Sequence, residues 1–251
     1  MAKKKRSQQA KISLIIVSIL VLVTVLVYYW GRPRFIRYPE FGISLPSGYS
    51  IHGIDVSHYQ SSIDWNDVKA MQIRNVGIGF SFIKATEGTD DVDDKFKQNW
   101  RGAKKAGITR GAYHFFNPYK NGKAQAKNFI RTVDLKPGDM PPVLDVEDAG
   151  RLDKLTLQQR VTEWLCTVEQ HYKVKPLIYT GADFYKSYLQ GCFDEYPLWV
   201  AHYLAKNQPR VSRQWHFWQH NEAGHVNGID SYVDFNVFNG DSTAFTKLLY
   251  K

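Results

Sequence analysis

From residue 51 onward, short apolar runs of strand character alternate with amphipathic stretches of helical period, and this alternation restricts the fold more than any other feature of the chain. Residues 51–56, 76–84, 108–116, 142–146 and 177–180 read as strands, and residues 65–71, 95–106, 122–133 and 156–172 read as helices, the second of them stopped by Gly107. Strands that alternate with helices predict an α/β fold with a parallel sheet and helices outside it. The last third behaves differently: residues 197–203, 215–220 and 232–238 are strand-like and separated by loops with little helical pattern. About eight strands with helices mainly after the first five predict a TIM-like barrel with a strand-rich closing third. A doubly wound open sheet is the alternative, and in both architectures the functional groups belong at the C-terminal ends of the strands.

The segment before residue 51 carries the basicity. The formal net charge is +9, yet eight of the 33 Lys and Arg (Lys3, Lys4, Lys5, Arg6, Lys11, Arg32, Arg34 and Arg37) precede residue 38, where there is no acid. The rest of the chain is nearly neutral, so a basic nucleic-acid-binding face is not expected. Residues 12–30 form an uncharged run of 19, which predicts one transmembrane signal-anchor helix after a cytoplasmic basic leader at 1–11. Tyr28, Tyr29 and Trp30 fall where an interfacial belt would lie, and a cleaved signal peptide would want small residues there instead. The expected organisation is completed by a linker at 31–50 and a catalytic domain at 51–251, facing outward from the membrane. Cys166 and Cys192 could pair in such a location or remain separate thiols. No zinc spacing and no glycine-rich phosphate loop is found, so no metal or cofactor is expected.

Acids close several of the apolar runs. GIDVS places Asp55, VLDVED places Asp145 and Glu147, and YVDFNVFNG places Asp234. Taken singly, such an acid is commonly a helix cap or a surface group. Asp145 and Glu147, two apart in a strand, point to one face. The first and last strands of a closed barrel are neighbours, which sets Asp55 beside Asp234. A carboxylate cluster without a metal or a nucleophilic triad suits glycoside hydrolysis, where one carboxyl stays protonated and a second group stabilises the developing cation. Glu147, with the longer reach, is the expected acid, and Asp145 the expected charge-bearing neighbour. Tyr59, Tyr113, Tyr179, Trp199, Tyr203 and Trp218 lie in the strand-end segments, where their faces suit sugar rings or simply pack a core. His114 and His202 either orient a carboxylate or serve the core.

Taken in order, GIDVSHYQ, FIKATEG, GAYHFF, PVLDVE, LIYTG, LWVAHY, WQH and VDFNVFNG resemble glycoside hydrolase family 25, the Chalaropsis-type lysozymes, over roughly residues 51–240. The resemblance implies cleavage of the β-1,4 bond between N-acetylmuramic acid and N-acetylglucosamine in peptidoglycan glycan strands. It implies Glu147 as general acid/base, Asp145 assisting the 2-acetamido group or the oxocarbenium ion, and Asp55 and Asp234 as the other acids of the floor. Tyr113, Tyr179, Trp199, Tyr203, Trp218 and Gln219 are the substrate-binding candidates. The enzyme is expected to be a monomer without a cofactor. A chitinase-like hydrolase and a non-catalytic, membrane-anchored glycan-binding scaffold are the competing readings.

Overall fold

The computed structural model describes residues 2–30, 35–203 and 205–251. In chain order, helix α1 (Ala2–Trp30) precedes the hairpin strands β1 (Phe35–Tyr38) and β2 (Ile43–Pro46). Then come β3 (His52–Val56), α2 (Trp65–Ala70), β4 (Gln72–Ile73), β5 (Val76–Glu87), β6 (Asp91–Val92), α3 (Phe96–Lys105) and β7 (Thr109–Phe115). The rest is α4 (Gly122–Thr132), β8 (Val143–Asp145), α5 (Lys154–Tyr172), β9 (Leu177–Gly181), α6 (Ala182–Phe184), β10 (Leu198–Ala201), β11 (Phe217–Gly224), β12 (Val233–Phe238) and α7 (Ser242–Leu248). Eight strands close a barrel in the order β3, β5, β7, β8, β9, β10, β11, β12 and back to β3. Seven of them run parallel, while β12 is antiparallel to both β11 and β3. Between β9 and β12 the only helical pieces among the described residues are α6 and a five-residue π turn at Tyr185–Leu189.

Aromatic rings fill the barrel below the strands' C-terminal ends. Phe82 stacks on Trp199 with centroids 4.1 Å apart, and Phe80, Phe217 and Phe238 pack edge-on or tilted beneath them. Phe245 of α7 closes that end against Phe80, Phe217 and Phe238. Glycine makes room for these rings: a Cβ at Gly53 would stand 2.5 Å from Phe80, and one at Gly111 would stand 2.7 Å from Phe82. The plug leaves space for a cleft only at the opposite, C-terminal mouth. Outside the barrel, α4 and α5 pack through Phe129 and Trp164 (centroids 5.4 Å apart), and Asp153 caps α5 by accepting from the Thr156 backbone N–H at 3.0 Å.

Two expectations about the N-terminal region are corrected. Of α1, the side chains of residues 11 and 13–27 are described. Among the described residues no helix is long and apolar enough to cross a membrane. The expected transmembrane anchor over 12–30, its membrane contact and the membrane-anchored location therefore do not stand. The side chains of Tyr28, Tyr29 and Trp30, and those of the basic leader up to Arg6, lie outside the described residues.

The expected linker also differs. Residues 35–46 form an antiparallel hairpin that packs along β11, with Phe41, Ile43 and Leu45 all buried. Its turn needs Gly42 at a positive φ of 70°. Alternating apolar side chains in so short a Pro- and Gly-bearing stretch were masked by the turn signals around them. The two cysteines are free and exposed rather than paired. Phe41 gives a test of the hairpin: Phe41→Ala should lower stability by about 3 to 5 kcal/mol in urea unfolding, as for a core aromatic, whereas a free linker would lose almost nothing.

Candidate active site

The plugged barrel opens at the C-terminal mouth of the parallel strands into a cleft of about 300 Å³. Asp55 is the last residue but one of β3 and Asp145 ends β8, so both carboxyls reach the mouth from the C-terminal ends of their strands. Glu147 follows two residues beyond β8 and is exposed, whereas Asp145 is only 5% exposed. Asp234 arrives by another route. It stands near the start of antiparallel β12, in register with Asp55, so the beginning of that strand reaches the same rim as the ends of the others. The neighbouring of first and last strands set the two acids side by side, and the register does so through an antiparallel β12.

A hydrogen-bonded network holds the floor. Asp55 Oδ2 accepts from Gln219 Nε2 at 2.8 Å and from Asn236 Nδ2 at 2.7 Å. Asn236 Oδ1 in turn accepts from Trp199 Nε1 at 2.8 Å. Gln219 Oε1 accepts from the phenols of Tyr179 and Tyr203, each at 2.7 Å, which leaves no choice of amide orientation. Lys84 Nζ lines the same cleft and pairs with Glu87 Oε2 at 2.7 Å.

Electrostatics divides the four acids into two pairs. Burial raises the Asp55 carboxyl, although the amides of Asn236 and Gln219 favour its charged form. Burial also raises Asp234, and the Asp55 charge raises it further. Asp55, the partner that accepts two amide N–H groups, thus keeps the charge while Asp234 keeps the proton. In the second pair, burial and then the Glu147 charge hold Asp145 well above the usual carboxylate range. Glu147, although it reaches the surface, is raised by partial desolvation in the cleft and lowered by its interaction with Asp145. Asp145 is the more deeply buried of the two and the more strongly raised, and its Oδ1 has no hydrogen-bond partner among the described residues.

The chain can now be placed among known proteins. The sequence profile of glycosyl hydrolases family 25 matches residues 54–229. The chain belongs to this family. It is 36% identical over 213 residues to Lysozyme M1 of Streptomyces globisporus, covering 79% of this chain and 71% of that protein. It is 46% identical over 224 residues to YegX of Escherichia coli strain K12, covering 89% of this chain and 81% of that protein. Among solved structures, a family 25 glycosyl hydrolase from Bacillus anthracis superposes with a TM-score of 0.73 at 34% identity, covering 79% of this chain and 93% of that one.

Within this family 25 barrel, Tyr113, Tyr179, Trp199, Tyr203 and Gln219 line the cleft with the four acids, and Tyr59 stands at its rim, 76% exposed. Trp218 does not join them. It follows inward-pointing Phe217 and precedes inward-pointing Gln219, so the strand period turns it outward; it is buried against Phe35 and Trp215, and its Nε1 donates to His202 O at 3.1 Å. His114 belongs to the helical layer, bonded to Thr86 and Gln125 and stacked on Trp164, with burial pushing its imidazole down to about 3. His202 lies outside the cleft lining, its Nδ1 accepting from the Arg210 backbone N–H.

Sequence reasoning missed Asn236, Lys84, Gln60 and Glu222, which also line the cleft or bond its floor. Asn236 was legible: it is two residues from Asp234 and so faces the same way. Lys84 reads as an ordinary strand cation until the barrel turns it inward.

The raised acids have a consequence for stability. A carboxyl whose folded pKa is raised binds its proton in the folded state at a pH where the unfolded chain has lost it, so its contribution falls as pH rises above about 4. Asp234→Asn should therefore melt higher than the wild type at neutral and mildly alkaline pH. The difference in Tm should shrink toward zero near pH 3.5, and a gap independent of pH would contradict the assignment.

Proposed function

We infer that this family 25 enzyme is a muramidase, hydrolysing the β-1,4 bond between N-acetylmuramic acid and N-acetylglucosamine in peptidoglycan. The relatives named as lysozymes support that activity. The roles of individual residues rest on one observation: Asp145 and Glu147 line the same cleft, and Asp145 Oδ1 there is buried and unpaired among the described residues.

Bound substrate would give that oxygen a partner. The 2-acetamido N–H of the muramic acid unit can donate to Asp145, which favours the Asp145 anion and the protonated form of Glu147 beside it. Glu147 then protonates the glycosidic oxygen as the C1–O bond breaks, and the acetamido carbonyl oxygen closes on C1 to form a bicyclic intermediate. Asp145 takes up the amide proton as positive charge develops. Water next attacks C1 and gives a proton to the Glu147 carboxylate, while Asp145 returns its proton to the amide nitrogen. The acetamido oxygen closes on C1 from the face opposite the departing oxygen and water then attacks from the original face, so two inversions leave the product with its anomeric configuration. Asp55 and Asp234 shape the floor with net charge near −1, which favours an oxocarbenium-like transition state. Tyr113, Tyr179, Tyr203 and Trp199 supply the walls against which the sugar rings lie.

Turnover of purified peptidoglycan by the wild type and by Glu147→Gln tests the reading. Wild-type digestion should release fragments ending in reducing N-acetylmuramic acid, and Glu147→Gln should be slower by at least about a hundredfold. Preferential cleavage of chitin oligomers would favour the chitinase-like alternative, and binding without turnover would favour the scaffold. Proton NMR of the first product formed should show the β anomer; an α product would eliminate the acetamido route.

A further inference from the structure

A second groove, of about 520 Å³, adjoins the active-site cleft, with Tyr203 lining both. The phenol of Tyr203 is fixed to Gln219, so the ring stands as a partition between the two spaces. One wall of the groove is the N-terminal hairpin, which lies outside the family match at 54–229. The other wall comes from β11 and the segment after β10. Residues 35–46 build the hairpin wall by folding against the barrel.

The chemistry of the groove differs from that of the cleft. Arg37 projects from the hairpin and Lys206 from the segment after β10, and neither makes an ion pair among the described residues. No Asp or Glu is among the described residues that line it; the nearest acid in sequence, Glu222, lines the cleft instead. His220 stands in the β11 wall, 2% exposed, with neither ring nitrogen hydrogen-bonded among the described residues. Burial pushes its imidazole down to about 3, so it is neutral and retains one N–H donor and one acceptor. Asn221 adds an amide beside it. Two unpaired cations flanking a neutral donor and acceptor suit a ligand that carries both carboxylates and peptide groups.

We propose that this groove is a peptide-stem subsite: it takes the free carboxylates of the peptide borne by the muramic acid while the glycan lies in the cleft across Tyr203. The proposal rests on the muramidase reading, because that reading supplies a polymer with sugar and acidic peptide joined at one residue. The enzyme then selects strands that keep their peptides, and the hairpin confers that selectivity.

The experiment compares kcat/KM on glycan strands bearing tetrapeptide stems with kcat/KM on the same strands stripped of peptide by an amidase. The full chain is used as wild type and as the double variant Arg37→Ala/Lys206→Ala. The wild type should prefer peptide-bearing strands by about tenfold, the scale of one or two charge-assisted contacts. The double variant should lose that preference and cleave stripped strands at the wild-type rate, with Arg37→Lys retaining most of it. Absence of preference in the wild type, or an equal loss on both substrates, overturns the subsite. If the wild type cleaves neither substrate, the muramidase reading fails instead. Binding of the two kinds of strand to the same proteins then decides the groove: a preference for peptide-bearing strands that needs the two cations upholds it, and equal binding overturns it.

Discussion

The antiparallel insertion of β12 between β11 and β3 is the constraint on which the rest of the molecule depends. A parallel return would need a crossover of a dozen or more residues, whereas the connection from Gly224 to Val233 is too short for one. The chain turns back directly, closes the sheet on β3 and removes both exposed edges. Closure in this direction brings the start of β12 to the rim where the other strands end. Asp234 and Asn236 consequently reach Asp55 across the seam, and the two ends of the domain meet in one floor.

That floor is electrostatically divided because its members are buried to different depths and held by different donors. Asp55 accepts two amide N–H groups and tolerates its charge; Asp234 has the Asp55 charge beside it and keeps a proton. Asp145 is buried with an unpaired oxygen, while Glu147 reaches solvent. The four carboxyls thus differ in how strongly their surroundings favour the proton, by depth of burial and by the donors each one accepts from. Gln219 ties these acids to the walls, since its single amide bonds Asp55 on one side and the phenols of Tyr179 and Tyr203 on the other. Movement of a wall tyrosine is therefore coupled to the acids of the floor.

The hairpin of residues 35–46 extends this arrangement sideways. Its buried Phe41, Ile43 and Leu45 hold it to the outer face of β11, the face that Trp218 and His220 also present. Trp218 thus acts as a support between barrel and hairpin rather than as a wall for sugar, and the strand that contributes Gln219 to the cleft contributes His220 to the neighbouring groove. The alternation of one strand serves two sites.

By itself the sequence determined the alternation of strands and helices, the helix-poor closing third, and the carboxyls at Asp55, Asp145, Glu147 and Asp234, because periodicity and strand ends are local properties that a chain displays without its fold. It also contained the parity that sends Trp218 outward and Asn236 inward, although composition drew attention to the tryptophan and away from the asparagine. Tertiary structure alone decided the direction of β12 and the docking of the hairpin. It alone decided how strongly each acid's surroundings favour its proton. Those outcomes depend on how deeply a group is buried and on which donors and charges surround it, and residues far apart in the chain, such as Asp55 and Asn236, supply these only once the barrel has closed.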